Sequence, residues 1–180
     1  MKRIALLVLG VVALSVSALA QAPDDAVAKA VLALPSSLRD GATVIKWKAD
    51  FTYDTLKKGT NPLVCYDLSG YPKHRPFTVE CTSMANLDRV AQSLKFEAQG
   101  DKTKDLLDAA EKDGTRIKPQ YGSVWYHFMG DDQERARMHM TIAVPGATAQ
   151  STGLPDKPGQ GSVWLMNPGT STAHLMTPGE

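Results

Sequence analysis

Behind Lys2 and Arg3 a largely apolar run extends from Ile4 to Val16 and ends in Ser17-Ala18-Leu19-Ala20. A positive end, a short apolar core and small residues at alternate positions make the pattern of a secretory signal peptide. The run is too short for a permanent membrane helix, which takes about 20 residues. No second apolar stretch follows it, and Gln21-Ala22 stands where a lipid-anchored protein would carry a cysteine. The expectation is an exported chain, periplasmic or secreted, cleaved after Ala20 and without a membrane span. Residues 1–20 are then the leader, and residues 21–180 must fold after export, in an oxidising compartment.

That remainder suits one compact domain with a sizeable core. The 20 basic side chains of the whole chain less Lys2 and Arg3 leave it 18, against 19 acidic ones. A balanced, interspersed charge argues against a nucleic-acid partner, which needs a basic surface. Two cysteines remain, Cys65 and Cys81. In an exported chain an even count points to a disulfide, and no CxxC spacing supports the rival metal or nucleophile reading.

Hydrophobic periodicity places the elements. Ala26, Val27, Ala30, Val31 and Leu34 follow Asp24-Asp25 at helical spacing, and Pro35 stops them. Strands are expected at 43–48, 51–56, 63–66 and 77–81, with a polar, basic loop from Ser69 to Pro76. Ser83 is placed to cap a helix whose Met84, Leu87, Ala91 and Leu94 share one face. Asp101 opens a weaker helix that Gly114 closes. Val124–Met129 reads as a buried strand, and Met138, Met140, Ile142 and Val144 share one face of the next. A long Pro- and Gly-rich loop from Pro145 to Gly161 leads to strands at 162–166 and 172–176. Asn167-Pro168-Gly169-Thr170 between them suits a type II turn. The expected fold is a single α+β domain, an antiparallel sheet with helices packed on one face. Its expected core is Val124, Tyr126, Phe128, Met140, Ile142, Val144, Trp164 and Met166, covered by the Met84–Leu94 helix.

Few residues carry chemistry. There is no G-x-S-x-G elbow, H-E-x-x-H helix or Gly-rich phosphate loop. Asp131, Asp132 and Glu134 lack the order of a calcium loop and read as a polar connection. Thr82-Ser83 reads as a helix cap. Lys73-His74-Arg75 reads as a solvated loop, or as a contact for an anionic polysaccharide, with His74 exposed. His127, His139 and His174 all fall on expected strands. Met138-His139-Met140 and His174-Leu175-Met176 combine imidazole with thioether, the ligand types that suit copper. Strand alternation turns Met138 and Met140 away from His139, so a copper site would combine His139 with His174 and Met176, or with His127. The ordinary alternative is that the methionines fill gaps in a core and the histidines only hydrogen-bond.

Several blocks, Leu38-Arg39-Asp40-Gly41-Ala42-Thr43-Val44, Leu56-Lys57-Lys58-Gly59-Thr60-Asn61 ahead of Cys65, and Gly169-Thr170-Ser171-Thr172-Ala173-His174-Leu175-Met176, resemble those of a family of exported bacterial proteins. The family pattern runs R-x-G-A-T, L-R-x-G-T-N, cysteine, second cysteine, H-x-M and A-H-x-M. Arg137-Met138 departs from it, where the family carries Gly-Pro ahead of the histidine. The resemblance implies pairing of Cys65 with Cys81 and draws attention to His139 and His174, and it implies no activity. Two functions stay open: a non-catalytic exported domain that binds a partner or small ligand, and a copper-binding or metal-dependent protein built on His139, His174 and Met176.

Overall fold

The computed structural model describes residues 18–159 and 162–177. Most of the expected leader therefore lies outside the described residues; its last three open helix α1 (Ala18–Ala30). Among the described residues the other helices are α2 (Ser36–Arg39), α3 (Leu87–Glu97), α4 (Thr103–Lys112) and α5 (Ala149–Thr152). The strands are β1 (Thr43–Trp47), β2 (Tyr53–Lys57), β3 (Leu63–Asp67), β4 (Phe77–Ser83), β5 (Val124–Gly130), β6 (Arg137–Ala143), β7 (Trp164–Met166) and β8 (His174–Met176). Each lies within two residues of its expected limits. They form one eight-stranded sheet in the order β2-β1-β3-β4-β5-β6-β8-β7. Every neighbouring pair is antiparallel except β1 and β3, where Thr43 stands opposite Val64 and Val44 opposite Cys65. The α+β class and the largely antiparallel sheet are as the sequence indicates. None of the described helices is long and apolar enough to cross a membrane.

The parallel pair requires the chain to leave β2 and enter β3 on the far side of β1. The crossing runs through Gly59. A Cβ there would stand 2.3 Å from the Gly41 carbonyl oxygen and 2.4 Å from the Thr43 nitrogen, closer than any side chain permits. With no side chain in the way, the two segments bond directly. The Gly41 carbonyl accepts from Thr60 N (2.8 Å) and Asn61 N (2.9 Å). Gly59 N donates to Thr43 Oγ1 (3.0 Å), and Asn61 Nδ2 donates to the Leu38 carbonyl (3.0 Å). The segments 38–44 and 56–61 are thus the two halves of one crossing.

Helices cover both faces of the sheet, not the single face expected. The α1 end tightens into a 3-10 turn at Val31–Ala33, and Leu34 turns extended ahead of Pro35, whose ring disfavours helix in the preceding residue. Arg39 Nε (2.8 Å) and Nη2 (3.2 Å) bond the Leu34 and Leu32 carbonyls left over. Ala30, Val31, Ala33 and Leu34 pack on Val44, Cys65, Phe77, Val79 and Cys81. On the opposite face Leu87, Val90 and Leu94 of α3 pack on Ile45, Trp47, Val64, Tyr66 and Leu68. Alternation within β3 explains both layers: Val64 and Tyr66 face α3 while Cys65 faces α1.

The expected core is corrected accordingly. The most deeply buried side chains include Ile45, Val64, Tyr66 and Val79 in the N-terminal half of the sheet, with Leu34 and Leu68 packed beside them. Tyr126 and Phe128 pack at the margin of the α1 layer, not under α3, and Met166 is 44 % exposed. The hairpin of β7 and β8 is present, and Thr170 N bonds the Asn167 carbonyl (3.3 Å) across the expected turn, with Gly169 at φ 78°.

Cys65 and Cys81 lie directly opposite one another on β3 and β4 and are bonded, S–S 2.07 Å. The bridge closes a segment with a separation of 16 residues, which contributes roughly 3 kcal/mol in the chain-entropy model. Thiol titration of the denatured, unreduced protein should find no free thiol. Reduction should lower the urea unfolding free energy by roughly 2–4 kcal/mol; two free thiols before reduction would remove the bridge.

Candidate ligand-binding cleft

Beyond the reach of α1, the polar alternation of β4, β5 and β6 decides what the other face becomes. Glu80 on β4 stands opposite His127 on β5, and His127 stands opposite His139 on β6. Directly opposed residues share a face, so three ionisable side chains form a row across the sheet. Trp125 and Met129 flank it on β5, and Thr141 and Ala143 continue it on β6. His174 and Met176 enter from β8, opposite Ala143 and Thr141 respectively. Helix α3 and the segment around Arg116 stand over this face and leave a cleft of about 390 Å³.

All four histidines of the chain line the cleft. Glu80 is buried and its Oε1 accepts from His127 Nδ1 at 3.0 Å, leaving His127 Nε2 as the free ring position. The His127 and His139 rings stack with centroids 5.8 Å apart and planes at 28°. His174 Nδ1 donates to the Thr172 carbonyl at 2.7 Å. His74 is not the exposed loop residue expected from its neighbours. The loop folds back over α3, Tyr71 Oη bonds the Trp47 carbonyl (3.2 Å), and His74 Nε2 meets Glu97 Oε2 at 3.0 Å. The flanking charges are already matched, Arg75 with Asp131 at 3.5 Å and Lys73 with Asp101 at 3.9 Å. Asp132 pairs with Arg135. The loop is therefore not a free basic patch for a polysaccharide.

Two arginines close the helical side. Arg89 on α3 is 6 % exposed and Arg116 is 7 % exposed. Arg89 Nη1 bonds the Ile117 carbonyl. Arg116 reaches Gln92 Oε1 and Ser93 Oγ, each at 2.6 Å, while its buried Nε has no partner. The loop carrying Arg116 is fixed by a buried asparagine: Asn86 Nδ2 donates to Thr82 Oγ1 (2.9 Å) and Ser123 Oγ (3.0 Å), and its Oδ1 accepts from Gln120 N (2.8 Å). Glu111 on α4 receives Ser171 N (2.6 Å) and Ser171 Oγ (2.5 Å), tying the β7–β8 connection to the helices.

Five of the groups that line the cleft are shifted, each for a visible reason. Burial acts to raise the Glu80 carboxyl, but the His127 charge and hydrogen bond, with His74 and Tyr66, hold it below the usual carboxylate value. Burial acts to lower His74, and the Glu97 hydrogen bond with the Glu80 and Glu97 charges outweighs it, so His74 lies above the usual imidazole value. Burial lowers His139, with His127 and His174 adding to the effect. Burial also lowers His174, against the raising effect of its bond to Thr172, and His127 and Arg89 lower it further. Burial and the neighbouring Arg116 bring the Arg89 guanidinium down to about 10.

Of the residues read as copper ligands, His139, His174 and Met176 do reach one cleft, on adjacent strands and the same face. The register separates the two histidines. His174 stands opposite Ala143, four residues along β6 from His139, or about 13 Å at 3.3 Å per strand residue. Met176 lies between them. Among the described residues no three His, Cys, Asp or Glu side chains converge closely enough to hold a metal ion. Sequence reasoning missed Glu80, His74, Arg89 and Arg116 as companions of these histidines. Thr78, Glu80 and Thr82 do alternate along an otherwise apolar strand, the sequence sign that one face of β4 lies against something polar.

These shifts set a pH dependence. His74, raised on folding, contributes stability that is complete below the unfolded pKa near 6.5 and is lost as pH rises through its folded value. His139 and His174, lowered on folding, favour the fold above 6.5 and oppose it as pH falls, because the unfolded chain protonates first. A His139→Gln, His174→Gln double variant should therefore gain stability relative to the parent on going from pH 8 to pH 5.5 in urea titrations. Glu97→Gln should shift it the other way. Parallel curves for parent and double variant would show that the two rings do not titrate with folding.

Comparison of the chain with family models, with curated proteins and with solved structures gave no match.

Proposed function

We propose that this is an exported, non-catalytic domain that binds a small molecule in the cleft between α3 and β4–β8. The observation that carries the reading is the combination of a concave, largely apolar space of about 390 Å³ with a few placed polar groups on its walls. That is the usual construction of a small-molecule site. Trp125, Val90, Leu94 and Met129 supply apolar surface, while the Glu80–His127 and His74–Glu97 pairs and the two arginines supply direction. The leader pattern, the disulfide and the resemblance to exported bacterial proteins support the compartment. Ligand-observed NMR with a library of small amphipathic molecules should give binders, and Met176→Trp, which fills the cleft from its β8 wall, should abolish them while the thermal midpoint stays within a few degrees of the parent. A library without binders, or binders indifferent to Met176→Trp, would remove the cleft as the site.

Copper binding by His139 and His174 with Met176 is the second reading, favoured by their shared cleft and adjacent strands. It needs the two rings to swing together from opposite ends of the Met176 position. Both imidazoles are shifted toward the neutral, ligating form, so affinity for copper(II) should persist somewhat below pH 6.5 and fall at more acid pH. Calorimetry at pH 7 and pH 5 with parent and a His139→Ala, His174→Ala double variant tests this; equal binding by both proteins eliminates the site.

A further inference from the structure

We infer that the cleft takes a ligand with a single carboxylate on an apolar or aromatic body, and that Arg89, with Arg116 behind it, receives the carboxylate. The inference rests on the cleft being a small-molecule site and names the class of ligand.

Two guanidiniums this deeply buried normally pair with carboxylates, because burying an uncompensated cation is costly. Here neither arginine has a carboxylate within ion-pair distance among the described residues. Arg89 makes one hydrogen bond, from Nη1 to the Ile117 carbonyl, and its Nε and Nη2 have no protein acceptor among the described residues. Those two nitrogens form one edge of the planar fork, the edge that fits both oxygens of a carboxylate. Arg116 Nε is likewise buried without a partner. Both side chains line the cleft and lie against α3, with Val90 and Leu94 on the same helix and Trp125 on the facing strand. An anion on Arg89 therefore sits beside apolar wall, which is where a hydrophobic body attached to it would lie.

The acidic groups limit the charge. Glu80 and Glu97 line the same space, and Glu111 stands behind the arginines, held by Ser171. Together with the two arginines they leave the cleft without a large positive excess. A dianion such as phosphate would meet about twice the repulsion from Glu80 and Glu97 that a monoanion meets at the same fork. A carboxylate is thus favoured over a phosphoryl group, and the breadth of apolar wall favours a body of two fused rings or its equivalent over a short acid.

The test compares 2-naphthoate, 2-naphthylmethanol and inorganic phosphate by calorimetry on the purified protein, with NMR observation of the arginine Nε–H signals. The acid should bind at least tenfold tighter than the alcohol, and phosphate should bind more weakly than the acid. The acid should also move the Arg89 Nε–H signal in the parent protein, a readout that needs no variant. Arg89→Gln should bring acid and alcohol to within twofold of each other, mainly by weakening the acid. Arg89→Lys, which keeps the charge and loses the fork, should fall between and serves if the glutamine variant does not fold. Equal binding of acid and alcohol by the parent overturns the carboxylate assignment while leaving the cleft as a binding site. Tighter binding of phosphate overturns it in favour of a phosphoryl group. Binding of neither naphthyl compound overturns the assignment of a carboxylate on a bicyclic body, while the library screen decides separately whether the cleft is a site.

Discussion

The sheet depends on one place where two backbones touch. Gly59 passes so close to Gly41 and Thr43 that no Cβ can stand between them, and that contact lets β3 enter parallel to β1 after an antiparallel β1–β2 hairpin. Everything C-terminal follows from the entry point. β3 fixes the register of β4 through Cys65 and Cys81, β4 fixes β5, and β5 fixes β6. A slip of one residue at the crossing would turn every side chain of β3 to the other face, exchanging Cys65 for Val64 and Tyr66. The disulfide, one strand further in, locks β3 to β4, so any such slip would have to carry both strands together.

The two faces that result have different work. The α1 face is a closed hydrophobic layer in which Leu34, Val44 and Val79 are excluded from water. The α3 face is closed only as far as Leu68 and then opens over the row Glu80, His127 and His139. Placing ionisable groups in a partly closed space demands partners. The carboxylate–imidazole contacts, the Asn86 network and the Glu111–Ser171 link provide most of them. Among the described residues the provision is incomplete at Trp47 Nε1 and Tyr66 Oη, which lie outside the cleft, and at the two arginines, which line it.

Much of this was legible in the sequence. Strand positions followed from alternation and from turn residues such as Gly59-Thr60-Asn61-Pro62 and Asn167-Pro168-Gly169, because those signals are local. The disulfide followed from an even cysteine count in a chain whose first twenty residues have the pattern of a leader. His139, His174 and Met176 were placed on one face because strand parity is a local property as well. What escaped was set by distance along the chain. The four-residue offset between His139 and His174 is a matter of register between β6 and β8, which no local pattern encodes. Arg89 reads as a solvated helix residue until the segment around Arg116 is laid over it. His74 reads as exposed until its loop folds back onto Glu97. The second covered face arose because α1 packs against Cys65 and Cys81, leaving α3 the other side.

The walls of the cleft are drawn from all five strands β4 to β8, from α3 and from the connecting segments, spanning Leu68 to Met176. No fragment of the chain contains enough of it to hold a molecule, so occupancy and completion of the fold are thermodynamically linked. A molecule that binds only the finished structure draws the folding equilibrium toward it, by about 2.7 kcal/mol at a hundred times its dissociation constant. For a domain of ordinary marginal stability, that is a substantial share of the whole. Wherever unfolded chains are open to proteases, a molecule held in the cleft would act as a preservative for the protein, and the lifetime of the protein would itself record how much of the molecule is present.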